Sequence, residues 1–278
     1  MSPNLEKSWK RLFVASINTR IIESITIGKN MSKPVVLITG GGKRIGAEVS
    51  KELMEMGWYV LIHVNSSVED AKSVLTDYTS KFGVDAPGDI LQANLLDDLE
   101  ISRLISEVLE HQAVKEAGGI SGLIHNASIY SSIDVEDVSV EELQKNLKLH
   151  VEVPFILTLG LLDSMRAKNG CVIGMVDTSL GRSWKGLSHY TASKAGLRQL
   201  MINFAGDFHP DIRVNCIAPG AIISADWEVE HFAKIIEEIP LGRSGNPSDV
   251  AKAVLFLFNS PHISGQVINI DGGWSLNQ

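Results

Sequence analysis

The stretch Val35-Val36-Leu37-Ile38-Thr39-Gly40-Gly41-Gly42-Lys43-Arg44-Ile45-Gly46 decides how this chain folds. Val35 to Thr39 is a short apolar run of the kind that makes a buried strand. It stops at three glycines, after which Ile45, Val49, Leu53 and Met56 recur at helical spacing. Strand, glycine turn and helix together open a dinucleotide site. Glycines let the backbone turn sharply and approach a pyrophosphate, while the helix N-terminus offers free N–H groups and positive potential. Gly40, Lys43, Arg44, Ile45 and Gly46 are therefore candidate cofactor contacts. A glycine cluster alone is an ordinary turn, and its place between first strand and first helix is what gives it meaning.

Working outward, Gly57 ends that helix and Trp58 to Val64 reads as a second strand. A helix from Val68 leads to a strand near Ile90–Ala93, and a helix near Leu99–His111 leads to Gly122–His125. One long helix is expected near Val140–Met165, then a strand over Cys171–Val176, a helix near His189–Phe208 and a strand over Arg213–Ile217. Asn246-Pro247-Ser248-Asp249 is a helix start, with a cap, a proline at the first helical position and an acid in the first turn. Val267–Ile270 closes the sheet. Alternating strands and helices predict an α/β fold: a doubly wound, Rossmann-type parallel sheet of about seven strands with helices on both faces. No Pro- or Ser-rich linker divides the chain, so residues 31–278 read as one domain.

The second strand ends His63-Val64-Asn65-Ser66-Ser67, without the acid that takes the ribose hydroxyls in NAD-preferring sites. Lys43 and Arg44 on the glycine turn, with the Ser67 hydroxyl, favour a 2′-phosphate and hence NADP(H). Two roles are open to His63, a cofactor contact or a packed strand residue.

Asp177-Thr178-Ser179 and His189-Tyr190-Thr191-Ala192-Ser193-Lys194 carry the chemistry. Tyr190 and Lys194 are four residues apart and share one helix face. A phenol titrates near about 10, and a neighbouring ammonium is expected to lower that value. The pair then exchanges a proton as hydride moves.

These residues resemble the short-chain dehydrogenase/reductase family from about Lys33 onward. Asn126-Ala127-Ser128 stands where the family has Asn-Ala-Gly, and Pro219-Gly220, Pro247-Ser248-Asp249-Val250-Ala251 and Asp271-Gly272-Gly273 follow in the family's order. The resemblance implies cofactor contacts at Asn94, Asn126, Ala127, Tyr190, Lys194, Pro219, Gly220 and Ile222. The departures are similar to pteridine and dihydromonapterin reductases. Arg44 replaces the usual glycine, and Asp177 replaces the serine thirteen positions before the tyrosine. Tyr130 matches the aromatic that covers a pterin ring, and His150 replaces the catalytic asparagine. Ser66 replaces an arginine that some pteridine reductases place near the 2′-phosphate. The implied catalytic set is Tyr190, Lys194, Asp177 and His150, and the implied substrate contacts are Arg44, Ser128, Tyr130, Asp177 and Tyr190. An acid at 177 suits protonation of a ring nitrogen, whereas its charge would oppose a developing alkoxide. The alternative is that Asp177 caps the strand-end loop. His150 either holds a water that relays protons from Lys194 or is a packed histidine, and Trp184 and Trp227 either line the substrate mouth or pack.

The formal charge of −8 and the scattered lysines and arginines give no basic surface for nucleic acid. No run approaches the roughly 20 apolar residues of a membrane span. The two cysteines, Cys171 and Cys216, have no metal-ligand spacing and read as buried thiols in a reducing, cytoplasmic setting. Residues 1–30 are basic and Ser-bearing: a floppy extension, a non-native start ahead of Met31, or an organellar transit peptide. The expected activity is reduction of a dihydropterin by NADPH in a homodimer or homotetramer. The rivals are a carbonyl reductase, for example of 3-oxoacyl thioesters, and a non-catalytic dinucleotide-binding regulator.

Overall fold

A computed structural model describes residues 32–225 and 228–277. The expectations about residues 1–30, about Met31 as a start and about Trp227 concern positions outside the described residues.

Seven parallel strands form one sheet in the order β3-β2-β1-β4-β5-β6-β7. They are β1 (Val35–Thr39), β2 (Tyr59–Val64), β3 (Gly88–Gln92), β4 (Gly122–His125), β5 (Cys171–Met175), β6 (Arg213–Pro219) and β7 (Val267–Ile270). Every residue of β1 is buried, as a strand covered on both faces must be. The period of two then splits it between two cores. Val35 and Leu37 join one hydrophobic cluster with Leu61, Leu123 and Val172. Val36 and Ile38 join the other with Ile62, Ile124 and Ile173. Register follows from these layers, pairing Leu37 with Leu61 and with Leu123.

The helices are α1 (Arg44–Glu55), α2 (Val68–Phe82), α3 (Asp98–Glu110), α4 (Gln112–Ala117), α5 (Val140–Leu147), α6 (Val153–Gly160), α7 (Leu162–Arg166), α8 (Ser188–Asp207), α9 (Val229–Glu238) and α10 (Pro247–Phe258). The Asn246 start of α10 closes a full capping box with Asp249. The single helix expected over Val140–Met165 is instead α5, α6 and α7, with a π-helical segment at Lys148–Glu152 between the first two. Pro154 explains the widening: it lacks the N–H that an α-helix would aim at the His150 carbonyl. The Val153 N–H reaches back to the Lys148 carbonyl, five residues away. α9 carries no cap and was not legible in the sequence. Its Ile235, with Ile239 just past its end, packs with Trp274 and Trp184 in a third, small cluster.

The strand order reverses between β1 and β4, which turn their connecting helices to opposite faces. In open α/β sheets, ligands bind in the crevice at such a switch point, outside the carboxyl ends of the strands.

Candidate active site

A single cavity of about 650 Å³ opens at that switch point. It runs from Ser66 and Ser67 past Tyr190 to Trp184 and Phe232. Among the described residues, every site residue singled out from the sequence lines it, except His150.

Thr39 laces the floor. Its Oγ1 accepts the Asn126 and Ala127 N–H groups, both at 3.0 Å, and donates to the Ile124 carbonyl at 3.3 Å. Asn126 Nδ2 donates to the Thr39 and Gly40 carbonyls at 3.0 and 2.9 Å. Gly40 holds a φ of +64°. A Cβ on Gly46 would fall 2.2 Å from the Gly40 carbonyl oxygen, so only glycine lets α1 start this close to the turn. Arg44 also takes a left-handed φ, +53°, which costs an L-residue roughly 1–2 kcal/mol. Its guanidinium does not lie toward β2. It donates to the Ile223 and Ser224 carbonyls at 2.8 and 3.2 Å and braces the loop after β6.

Lys43 pairs with Asp70 at 3.1 Å, beside the tip of β2. Ser67 begins α2 without spending its hydroxyl on a cap. Asn94 shapes the neighbouring turn: its Oδ1 accepts the Leu96 N–H at 3.0 Å. His63 lines the cavity and is buried, with both ring nitrogens bonded within the protein. Its Nδ1 accepts the Gly40 N–H at 3.2 Å and its Nε2 donates to the Ala93 carbonyl at 3.0 Å. Burial lowers its pKa to about 4, so the ring is neutral and both nitrogens are committed within the protein. The histidine pins the glycine turn.

The other half of the cavity is built by β5 and α8. The Tyr190 hydroxyl donates to Asp177 Oδ2 at 2.8 Å, and Asp177 Oδ1 accepts the Ser179 N–H at 2.7 Å. Asp177 thus both caps the strand-end loop and touches the tyrosine. Lys194 Nζ donates to the Met175 carbonyl at 2.7 Å and lies 5.8 Å from the Tyr190 ring centre. Burial lowers the Lys194 pKa to about 8. Tyr190 moves opposite to the sequence expectation. Its burial and the charge of Asp177 beside it hold its pKa well above the usual phenol value, so the hydroxyl keeps its proton.

Tyr130 stands edge-on to Tyr190, ring centres 4.9 Å apart. Its hydroxyl donates to Glu228 Oε2 at 2.8 Å, and Glu228 Oε1 accepts the Ala225 N–H at 2.9 Å. Glu228 is buried and lines the cavity, yet no spacing in the sequence marked it. Trp184 lines the far end and donates from Nε1 to the Ser179 carbonyl at 3.1 Å. His150 sits behind the wall. Its Nε2 is 2.9 Å from Ser128 Oγ and its Nδ1 2.7 Å from Ser193 Oγ. Both ring nitrogens are engaged by serine hydroxyls, and Ser193 is another participant the sequence did not flag. Among the described residues no cluster of His, Cys, Asp and Glu could hold a metal, and no helix is long and apolar enough to cross a membrane.

A family model described as enoyl-(acyl carrier protein) reductase matches residues 41–275. The chain is a short-chain dehydrogenase/reductase. Among similar proteins, an uncharacterised oxidoreductase of Bacillus subtilis, YmfI, is 31% identical over 86% of this chain and 97% of its own length. A 3-oxoacyl-[acyl-carrier-protein] reductase of Aquifex aeolicus is also 31% identical, over 86% of this chain and 96% of its own. Among solved structures, the FolM alternative dihydrofolate reductase 1 of Brucella canis, complexed with NADP, superposes with a TM-score of 0.78 at 26% identity, covering 89% of this chain and 96% of that one. The Brucella suis protein, also with NADP, gives 0.78 at 27%, covering 88% and 96%.

As a short-chain dehydrogenase/reductase the molecule is an oxidoreductase, and its cavity fits NADP(H). The Gly40 turn leaves room beside the start of α1 for a pyrophosphate. Lys43 and Ser67 line the cavity near the end of β2, and no Asp or Glu ends that strand. The Tyr190 hydroxyl lies at the junction between that half of the cavity and the half lined by Tyr130, Trp184 and Glu228.

Proposed function

We propose that this short-chain dehydrogenase/reductase reduces the C=N bond of a dihydropterin with NADPH. One observation carries the reading. Tyr190 donates to a carboxylate, Asp177, at the position where carbonyl reductases of the family have serine. NADPH supplies the hydride to the ring carbon. Tyr190 gives its proton to the adjacent ring nitrogen, and Asp177, which shares that proton, returns one from solvent. Lys194 fixes positive charge beside the phenol, and its bond to the Met175 carbonyl holds it there. Tyr130 offers a ring face to the substrate, and Arg44 and Ser128 border the same space. FolM-type relatives with NADP support this assignment. The 3-oxoacyl reductase relatives favour a second reading, a carbonyl reductase. The intact Tyr190, Asp177 and Lys194 set speaks against a regulator without turnover, which needs no proton donor.

We further infer a catalytic domain over residues 31–278 with an extension at 1–30, a cytoplasmic setting and a homo-oligomer. The deciding experiment is NADPH oxidation by the purified chain with dihydropterins, dihydrofolate, a 3-oxoacyl thioester and short ketones. Turnover of a dihydropterin at the highest kcat/KM is expected. A preference for the thioester or a ketone defeats the pterin assignment and keeps the reductase.

A further inference from the structure

Behind the substrate wall lies a chain of hydrogen bonds whose proton positions are fixed by chemistry. Ser193 Oγ is 2.7 Å from the Tyr190 carbonyl oxygen. A carbonyl has no proton, so the Ser193 hydroxyl donates there. A hydroxyl has only one proton to give, so at its other contact, 2.7 Å from His150 Nδ1, Ser193 Oγ accepts. His150 therefore carries its proton on Nδ1. Burial and the nearby Lys194 charge lower its pKa to about 2, so the ring stays neutral and Nε2 keeps a lone pair. The 2.9 Å contact between Nε2 and Ser128 Oγ is then a bond donated by Ser128. With its one proton turned inward, Ser128 shows the cavity nothing but lone pairs.

Two carboxylates of this wall, Asp177 and Glu228, share that polarity. Both Asp177 oxygens and both Glu228 oxygens already accept one bond each, and each retains a further lone pair. The Tyr130 hydroxyl proton goes to Glu228 and the Trp184 N–H to the Ser179 carbonyl.

We propose that His150 is a positioning residue that sets substrate specificity: it locks Ser128 as a hydrogen-bond acceptor, so the site selects a substrate edge bearing N–H donors over one bearing oxygen. A heterocycle with an exocyclic amino group meets this wall with donors opposite acceptors. An oxygen-edged substrate leaves the Ser128 lone pairs facing its own, a mismatch that buried sites reject strongly. The proposal rests on the pterin reading and extends it. It makes no demand that His150 move a proton.

The test is equilibrium binding to the NADP⁺-saturated protein of two probes, 2-aminopteridin-4-one and the same ring without its amino group, pteridin-4-one. The parent should bind the amino probe about ten-fold tighter or more, as one well-placed hydrogen bond in a buried site allows. Ser128→Ala removes the acceptor and should collapse that preference. His150→Phe frees the Ser128 proton to turn toward the cavity and should collapse it likewise. His150→Gln, whose carbonyl can accept from Ser128, should restore it. The pH dependence of kcat should keep its shape in His150→Phe, because the parent imidazole does not titrate near neutrality. Full preference in Ser128→Ala or His150→Phe, equal binding of both probes by the parent, or a displaced pH profile in His150→Phe overturns the proposal. If the parent binds neither probe, the pterin reading itself falls and takes this one with it, an outcome distinct from equal binding. Ser128 is on the cavity surface, so its variant reads the wall even if the buried His150 variants fail to fold.

Discussion

The Tyr190 hydroxyl and Asp177 Oδ2 are 2.8 Å apart, and the proton between them sits on the phenol. Burial and the adjacent carboxylate both oppose formation of a phenolate, so the phenol holds its proton until the substrate nitrogen takes it. Tyr190→Phe should lower turnover about 100- to 10,000-fold while leaving NADPH affinity near that of the parent. Stopped-flow hydride transfer and a separate NADPH titration measure the two effects. Near-full turnover with chemistry rate-limiting would refute the assignment of Tyr190 as acid.

Asp177→Ser changes the partner of that proton. Serine donates well to a developing alkoxide and is a poor source of protons for a ring nitrogen. Dihydropterin turnover should therefore fall more than any side activity on an activated ketone. Tyr130→Ala should act differently, raising the pterin KM through loss of a stacking contact worth very roughly 1 kcal/mol. Unchanged pterin kcat in Asp177→Ser would count against ring protonation through this pair.

Cofactor choice and substrate fit should separate on neighbouring residues. Lys43 and Ser67 lie at the tip of β2, whereas the Arg44 guanidinium holds the Ile223 and Ser224 carbonyls. NADPH should be favoured over NADH in kcat/KM. Lys43→Ala should narrow that ratio about ten-fold, since one charged contact to a phosphate is worth on the order of 1.5 kcal/mol. Arg44→Ala should mainly raise the substrate KM by loosening the loop after β6. Steady-state kinetics with both cofactors decides this, and a parent indifferent to the 2′-phosphate would contradict it.

Three buried histidines make the fold acid-sensitive. Burial lowers His63 to about 4, His125 to about 3 and His150 to about 2, from an ordinary 6.5. These pKa values are depressed in the folded state, so between them and 6.5 the unfolded chain binds more protons. Stability is full above 6.5 and is lost as pH falls. At pH 5 each histidine should remove about 2 kcal/mol. Urea unfolding at pH 7.5 and pH 5 should show this, and equal midpoints at the two values would be inconsistent with it.

Assembly should use the outer face of the broken helix. Leu147, Phe155 and Leu159 are exposed there, at 39%, 45% and 42%. Leu197 and Met201 on α8 are core, at 1% each, and offer no such contact. Phe155→Glu should reduce the mass found by light scattering at micromolar concentration. A monomeric parent would end the argument.

Local sequence was enough for β1, the glycine turn and α1, because a strand buried on both faces and a turn that excludes Cβ atoms each leave few residue choices. It was also enough to place Tyr190 and Lys194 on one face, since helical spacing is a property of neighbours in the chain. It marked Asp177 as a departure and left its contacts open. Tertiary structure alone decided the rest. Arg44 points to the β6 loop and His63 to the glycine turn because partners distant in sequence accept or donate there. Glu228 meets Tyr130, and Ser193 meets His150, across separations of 98 and 43 residues that no local pattern records. A hydrogen bond fixes a proton only when both atoms are in place, so the polarity of the substrate wall exists only in the folded chain.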